Sequence, residues 1–287
     1  MNDTNVQRQE LADFLRTRRA RLRPSDVGLL NGTRRRTPGL RREEVALLAN
    51  IGVTWYTRLE QGAPINVSPG VLTSIADVLQ LTDHEREHLF VLSGHRAAEA
   101  TIAETERVSE VQQRVLDALD PNPAVIRGRR FDVLAWNRAA CAIFGDYTAK
   151  DVWHRNSIWR FFMDPTARTC MPRSHEAASN VVAQFRAVAA KYLGDPGFQE
   201  LIDVLLEGSP DFRRHWSQHD VHGTTDGLKH LYHPLVGELR LEYTSLAVPG
   251  APDMYLIAYT TAKGSEEERK LRLVLDSQRE LAAPISH

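Results

Sequence analysis

A chain of 287 residues has room for one large domain or two of ordinary size, each with its own core, and two is the better expectation. It is 42% hydrophobic and 25% charged, and no apolar run approaches the roughly 18 residues that span a bilayer; a membrane protein is excluded in favour of a soluble globular one. The formal net charge of −1 is unevenly spread: residues 1–62 hold twelve arginines and no lysine against seven acids, a surplus of five positive charges that makes this end the candidate for a polyanion.

The N-terminus, MNDTNVQRQELADF, lacks the basic patch and apolar run of a secretory signal, and Cys141 and Cys170 read as buried thiols in a reducing cytoplasm. Residues 8–22 predict an amphipathic helix with Leu11, Phe14, Leu15 and Leu22 on or near one stripe, stopped by Pro24. PSDVGLLNGTRRRTPG predicts an irregular basic connection of about fifteen residues. LRREEVALLA then reads as a short helix, with Leu40, Val45, Leu48 and Ala49 on one face and Glu43 and Glu44 suited to the positive end of its dipole.

Asn50-Ile51-Gly52 turns the chain sharply into GVTWYTRLEQG, a run that alternates like a strand and also has a helical stripe of Ile51, Trp55 or Tyr56, and Leu59. The neighbours decide for helix. Ser68-Pro69 caps a helix through Val71–Leu81, and Thr82 or Asp83 caps another that closes at Gly94. With no strand nearby to pair with, two short helices joined by a tight turn form a helix-turn-helix. Its second helix enters the major groove, so the outward Val53, Thr54, Thr57 and Arg58 become candidate base contacts: Arg58 for guanine O6 and N7, Val53 and the threonine methyls for a thymine methyl. Arg41 and Arg42 become candidate phosphate contacts. Arg34, Arg35 and Arg36 fit a solvated loop, a phosphate clamp or a minor-groove arm, with DNA contact favoured. Glu60 reads as a structural partner for a nearby arginine.

LRREEVALLANIGVTWYTRLEQG, with the upstream RTRRARLRPSDVGLL and RRRTPGL, resembles the xenobiotic-response-element (XRE) type of helix-turn-helix repressor domain, and within it the MmyB-like actinobacterial branch, over about residues 8–94. The position of Gly52 is often serine in that family, as N-cap of the recognition helix. The loop Ala63-Pro64-Ile65-Asn66 lacks the arginine common there after the EQG motif.

The polar stretch after Gly94 reads as a domain boundary, with a linker at 96–107. Beyond it PAVIRGRRFDVLAWN predicts a hairpin of Ala124–Arg127 and Phe131–Trp136 about a Gly128-Arg129 turn. Helical patterns occupy 138–144, 174–193, 196–207 and 210–219. Three further strands follow, broken at Val236-Gly237 and Pro249–Pro252, so an antiparallel sheet covered by helices is expected. RRFDVLAWNRAACAIFGD, SPDFRRHWSQHDV, HPLVGELRLEYTSLAVPG and MYLIAYTT are similar to the MmyB-like ligand-binding domain, a PAS-like fold, over about residues 108–262. That resemblance implies a sheet cupping a small, largely apolar ligand, with a long-chain fatty acid a reasonable guess. The aromatics Phe131, Trp136, Phe144, Trp159, Phe162, Phe185, Trp216, Tyr243, Tyr255 and Tyr259, together with His219, are the candidate pocket residues.

An enzyme finds little support. His215 and His219 stand at i, i+4 amid a local concentration of histidines, yet Trp216 and Ser217 follow His215 where a HExxH site needs glutamate. Neither a G-x-S-x-G elbow, a phosphate loop nor a C-x-x-C occurs, so no catalytic residue, metal or cofactor is assigned. The expectation is an all-α five-helix helix-turn-helix domain (1–95), a linker (96–107), an α+β PAS-like domain with an antiparallel sheet (108–264), and a C-terminal helix and tail (265–287). Its function would be that of a cytoplasmic, sequence-specific transcription regulator binding a double-stranded DNA operator as a homodimer, with no membrane association, and sensing a small apolar ligand. Its rivals are a haem- or flavin-binding sensor, a metal-dependent enzyme fused to a DNA-binding domain, and a module whose helices 196–219 bind a protein partner.

Overall fold

A computed structural model describes residues 3–29, 39–95, 106–148, 152–170, 174–223, 226–249, 251 and 253–282. The chain forms two compact units: Met1–Thr101 with Val182–Gln199 and Arg214–Gly223, and Ile102–Val181 with Glu200–Arg213 and Thr224–His287.

The first unit contains five helices in sequence: α1 Asp3–Arg21, α2 Arg42–Leu48, α3 Val53–Glu60, α4 Pro69–Val78 and α5 Asp83–Leu92. Helix α1 starts at Asp3, five residues before the expected start at residue 8, and ends ahead of Pro24, which opens a single 3-10 turn, Pro24–Val27. Phe14, Leu15, Leu40, Val45, Tyr56, Leu72, Ile75 and Leu89 are fully buried in one core, to which Ala190 and Val221 also belong. Leu48 departs from expectation. In so short a helix α2 buries Val45, Ala46 and the following Ala49, which leaves Leu47 and Leu48 exposed.

The helix ends carry their own signals. Ser68 Oγ accepts from the Val71 amide at the start of α4, and Thr82 and Glu85 form a reciprocal capping box at the start of α5. Gly39 is required by contact: its φ is +87°, and a Cβ there would lie 2.6 Å from the Ala20 backbone.

The second unit is built on a five-stranded antiparallel sheet of order β2-β1-β5-β4-β3, with β1 Ala124–Arg127, β2 Val133–Trp136, β3 Gly227–His233, β4 Gly237–Ala247 and β5 Tyr255–Thr260. The β1–β2 hairpin falls where expected, but its turn reaches to Asp132, with a bulge after Ile126 and Phe131 at φ +68°. The breaks before β4 and β5 coincide with Val236-Gly237 and Pro249–Pro252. Between α5 and α10 run α6 Glu110–Ala118, α7 Arg138–Phe144, α8 Ser157–Met163 and α9 Pro165–Cys170. Then come α10 His175–Ala189, α11 Pro196–Gly208 and α12 Pro210–Trp216, with α13 Glu266–Ala282 after the sheet.

Two side chains explain much of the local order. Buried Asn137 caps α7 through Ala140, accepts from the β1 amide of Ala124, and donates to Leu116 and Asn122 carbonyls. Asn156 caps α8 at Trp159 and donates to Arg130 and Asp132 of the β1–β2 turn. Helix α12 stops at Trp216, short of the expected 219. His219 lies beyond it at φ +52°, so His215 and His219 do not share a helix face.

Candidate DNA-reading helix and ligand-binding sheet

Helix α3 is positioned from both ends. Between α2 and α3 the Asn50 amide bonds to Leu47 O and Ile51 to Ala46 O, a helix-ending pair of bonds with Asn50 left-handed at φ +55°. At the far end Gly62 bonds to Leu59 O and Ala63 to Arg58 O, with Gly62 at φ +70°. Between these turns Tyr56, Leu59 and Glu60 are buried and Trp55 is half-buried, which settles the open choice of anchor on Tyr56. Val53, Thr54 and Arg58 are exposed, and Thr57 is half-buried. These four lie on the part of α3 that faces away from the core.

Glu60 holds the reading helix against α1 and α2. Its carboxylate, with no exposed surface, accepts from Arg19 Nε at 2.6 Å and Nη2 at 3.1 Å, and from Arg42 Nε at 2.7 Å. Burial pushes this carboxyl up, but the arginine hydrogen bonds outweigh burial and leave it below its ordinary value. The same pairing raises Arg19 despite its own burial. Arg42 is thus committed to Glu60 on one side, while its side chain stays 38% exposed; Arg41 is exposed. Arg34, Arg35 and Arg36 lie outside the described residues.

Much of the N-terminal arginine surplus is used internally. Arg18, 3% exposed, pairs with Glu85 at 2.8 Å and Asp220 at 3.7 Å; Arg21 also pairs with Asp220. Arg186 of α10 pairs with Glu10 of α1 at 2.9 Å, contacts His219 Nδ1 at 3.2 Å, and lies 3.8 Å over the Trp216 ring. RTRRARLR is therefore largely a structural element, and sequence reasoning missed this because the acids that neutralise it are distant in the chain.

The candidate pocket residues divide into groups. Trp136, Phe144, Tyr243, Tyr255 and Tyr259 come together with Tyr147 on one face of the sheet. Within that group Phe144 and Tyr259 have ring centres 4.7 Å apart, and Trp136 and Tyr147 5.3 Å. Phe131 lies under Arg127, Trp159 packs on His154, and Phe162 packs on Phe161 and Phe212. Phe185, Trp216 and His219 belong to the first unit, around Arg186. A cavity of about 360 Å³ opens in the second unit between the end of α7, α8 and β3, lined by Phe144, Arg160, Leu231 and His233 among others. Of the candidates, only Phe144 lines it.

Cys141 is half-buried, with its thiol pushed up chiefly by burial, as suits an inert thiol; the Cys170 side chain lies outside the described residues. Among the described residues no helix is long and apolar enough to cross a membrane.

A five-helix unit presenting an anchored recognition helix, and a second unit with an aromatic sheet face, define a DNA-binding transcription regulator with a ligand-binding domain. Residues 10–89 match a helix-turn-helix domain family, and residues 108–274 match the MmyB-like transcription regulator ligand binding domain. The chain belongs to the MmyB-like family, whose match covers more than half of it; both matched domains are regulatory and not enzymatic. No curated protein matches the chain. The matched ligand-binding region includes Val182–Gln199 and Arg214–Gly223, which pack with α1–α5.

Proposed function

We propose that the chain reads an operator with Val53, Thr54, Thr57 and Arg58 while Arg41 and Arg42 rest on phosphates, and that the basic loop Arg34–Arg36 adds further DNA contact. The observation that carries this reading is the division of α3: Tyr56, Leu59 and Glu60 anchor it, while Val53, Thr54 and Arg58 stay exposed. Residues 1–95 serve as the DNA-binding part, 96–107 as connector, 108–264 as sensor and 265–287 as a terminal helix and tail. The protein works in the cytoplasm as a homodimer, because helix-turn-helix proteins commonly read paired half-sites about one DNA turn apart.

The ligand is a small, largely apolar molecule, with a long-chain fatty acid the leading class. Clustering of Trp136, Phe144, Tyr243, Tyr255 and Tyr259 on one sheet face supports this. Binding shifts the DNA-competent population only by the ligand's differential affinity for the two conformations.

Sequencing of duplexes bound from a random pool, at two salt concentrations, tests the DNA contacts. Arg58→Ala flattens preference at one base pair, at a cost of about 1–3 kcal/mol there. Arg41→Ala weakens binding to every duplex and lowers the salt slope by about 1. Uniform loss on all sequences for both variants overturns the division of labour.

A further inference from the structure

On the aromatic face of the sheet, two buried polar atoms lack partners among the described residues. Arg127, at the end of β1, is 9% exposed, and its Nε finds no hydrogen-bond acceptor among the described residues. Its guanidinium lies 3.9 Å over the Phe131 ring, a contact that returns only part of the hydration lost on burial. One residue pair along the sheet, the hydroxyl of Ser245 is likewise buried without a partner. The register puts both on the same face: Arg127 pairs with Tyr255, Val125 with Ile257, and Ile257 with Ser245, and residues directly opposite point the same way.

Lys229 of β3 shares that face through its pairing with Leu241, two residues from Tyr243. Its ammonium is pulled down to about 8 by burial first, then by repulsion from Arg160 and Arg127. Three cations are therefore within electrostatic reach of one another. Asp164 accepts from Thr166 and pairs with Arg160 at 3.8 Å, and Asp146 accepts from Thr148. A buried guanidinium whose Nε lacks an acceptor among the described residues, on one sheet face with a second cation and an orphaned hydroxyl, is the arrangement a bound anion would satisfy.

We propose that Arg127 and Lys229, with Ser245, form an anion subsite that holds the carboxylate of an amphipathic ligand, whose apolar body lies against Trp136, Phe144 and Tyr259. This rests on the reading that the domain binds a small apolar molecule. It adds the residues that hold the head group and makes charge, more than chain length, the determinant of selectivity.

Calorimetric titration of the full-length, delipidated protein with dodecanoate and with dodecanol tests it, because the two share a tail and differ in the head. Dodecanoate binds at least tenfold tighter than dodecanol. Arg127→Met removes most of that preference, leaves dodecanol affinity within twofold, and raises the melting temperature of the ligand-free protein by removing an unpaired buried charge. Lys229→Met, at a half-buried site, reduces the preference independently and decides the matter if Arg127→Met does not fold. Equal affinity for the two amphiphiles, or a preference that survives in both variants, overturns the subsite and leaves the apolar-ligand reading standing. Absence of saturable binding by either amphiphile overturns both.

Discussion

Glu60 concentrates the energetics of the reading head in one carboxylate. Removing one partner of a buried ion pair costs roughly 3–5 kcal/mol, because the remaining charge is left unpaired. Glu60→Gln is therefore expected to lower the stability of the helical unit by about 3 kcal/mol, since Arg19 has little exposure through which to regain hydration. Chemical denaturation followed by helical circular dichroism measures it, and a change within 0.5 kcal/mol (about the spread for neutral surface sites) would show that the pair is not structural. The folded carboxyl titrates below its ordinary value, so its contribution is full above about pH 4.5 and is lost as pH falls through the lowered value. Its role as an arginine partner was legible in the sequence; Arg19 as that partner, 41 residues away, was not. Arg127 was not legible at all: it reads as the last residue of a short strand, and only sheet register and burial make it unusual.

At the scale of elements, the start of α3 offers a clean test. Gly52 has φ −70° and ψ 133°, the extended geometry of an N-cap, and provides no side chain to accept from the first turn. A Cβ added there meets only the Trp55 Cβ, at an ordinary 3.8 Å. Gly52→Ser should stabilise the helical unit by a few tenths of a kcal/mol, or about 1–3 °C in melting temperature, without altering which duplexes are bound. A lower melting temperature would contradict the capping geometry. Most elements could be read from periodicity and punctuation, including both short helices of the helix-turn-helix and all five strands. Helices α6, α8 and α9 could not. SIWRFFM in α8 is crowded with β-prone aromatics over only seven residues, and its start is set by Asn156, whose side chain also binds a turn 24 to 26 residues away.

Across the whole molecule, the segments Val182–Gln199 and Arg214–Gly223 of the ligand-binding family region share a unit with the reading head. Arg186 is the central tie, with Glu10, His219 and Trp216 around it. Two imidazoles in the same region, buried His88 and partly buried His219, are shifted downward. His88, packed edge-on to Phe14, is pushed down to about 3 by burial and by the charges of Arg186 and Arg18; His219 is pushed down to about 4 by burial and Arg186. Both are neutral in the folded state, so their contribution is complete above the unfolded value near 6.5 and declines as pH falls toward 4 and 3. Each loses about 1.4 kcal/mol per pH unit in that window. Glu10, raised chiefly by burial, acts in the opposite sense nearer to its own titration. The helical unit should thus melt at a lower temperature at pH 5 than at pH 7, and His88→Phe should remove about half of that slope; an unchanged slope would exclude His88 as a source. Arg186→Met takes the arginine partner from the partly buried Glu10 carboxyl, and is expected to destabilise the unit by about 3 kcal/mol. If this tie also transmits ligand occupancy, the variant binds DNA with equal affinity whether or not dodecanoate is present.

The sequence by itself determined the order of elements, the change from helical to strand period after residue 120, and the outward face of α3, because these depend on residues within one or two turns of each other. It also carried the family resemblance through dense local motifs. Only the tertiary structure decided which charges are spent. RTRRARLR lies in the basic end that was the candidate for a polyanion, yet Arg18, Arg19 and Arg21 meet Glu85, Glu60 and Asp220, from 41 to 199 residues away. It also gathered Arg127, Lys229 and Ser245 on one sheet face, with no acid among the described residues acting on either cation. Periodicity reports which way a side chain points along its own element, whereas electrostatics and desolvation depend on distance through space, and that distance exists only once the chain has folded.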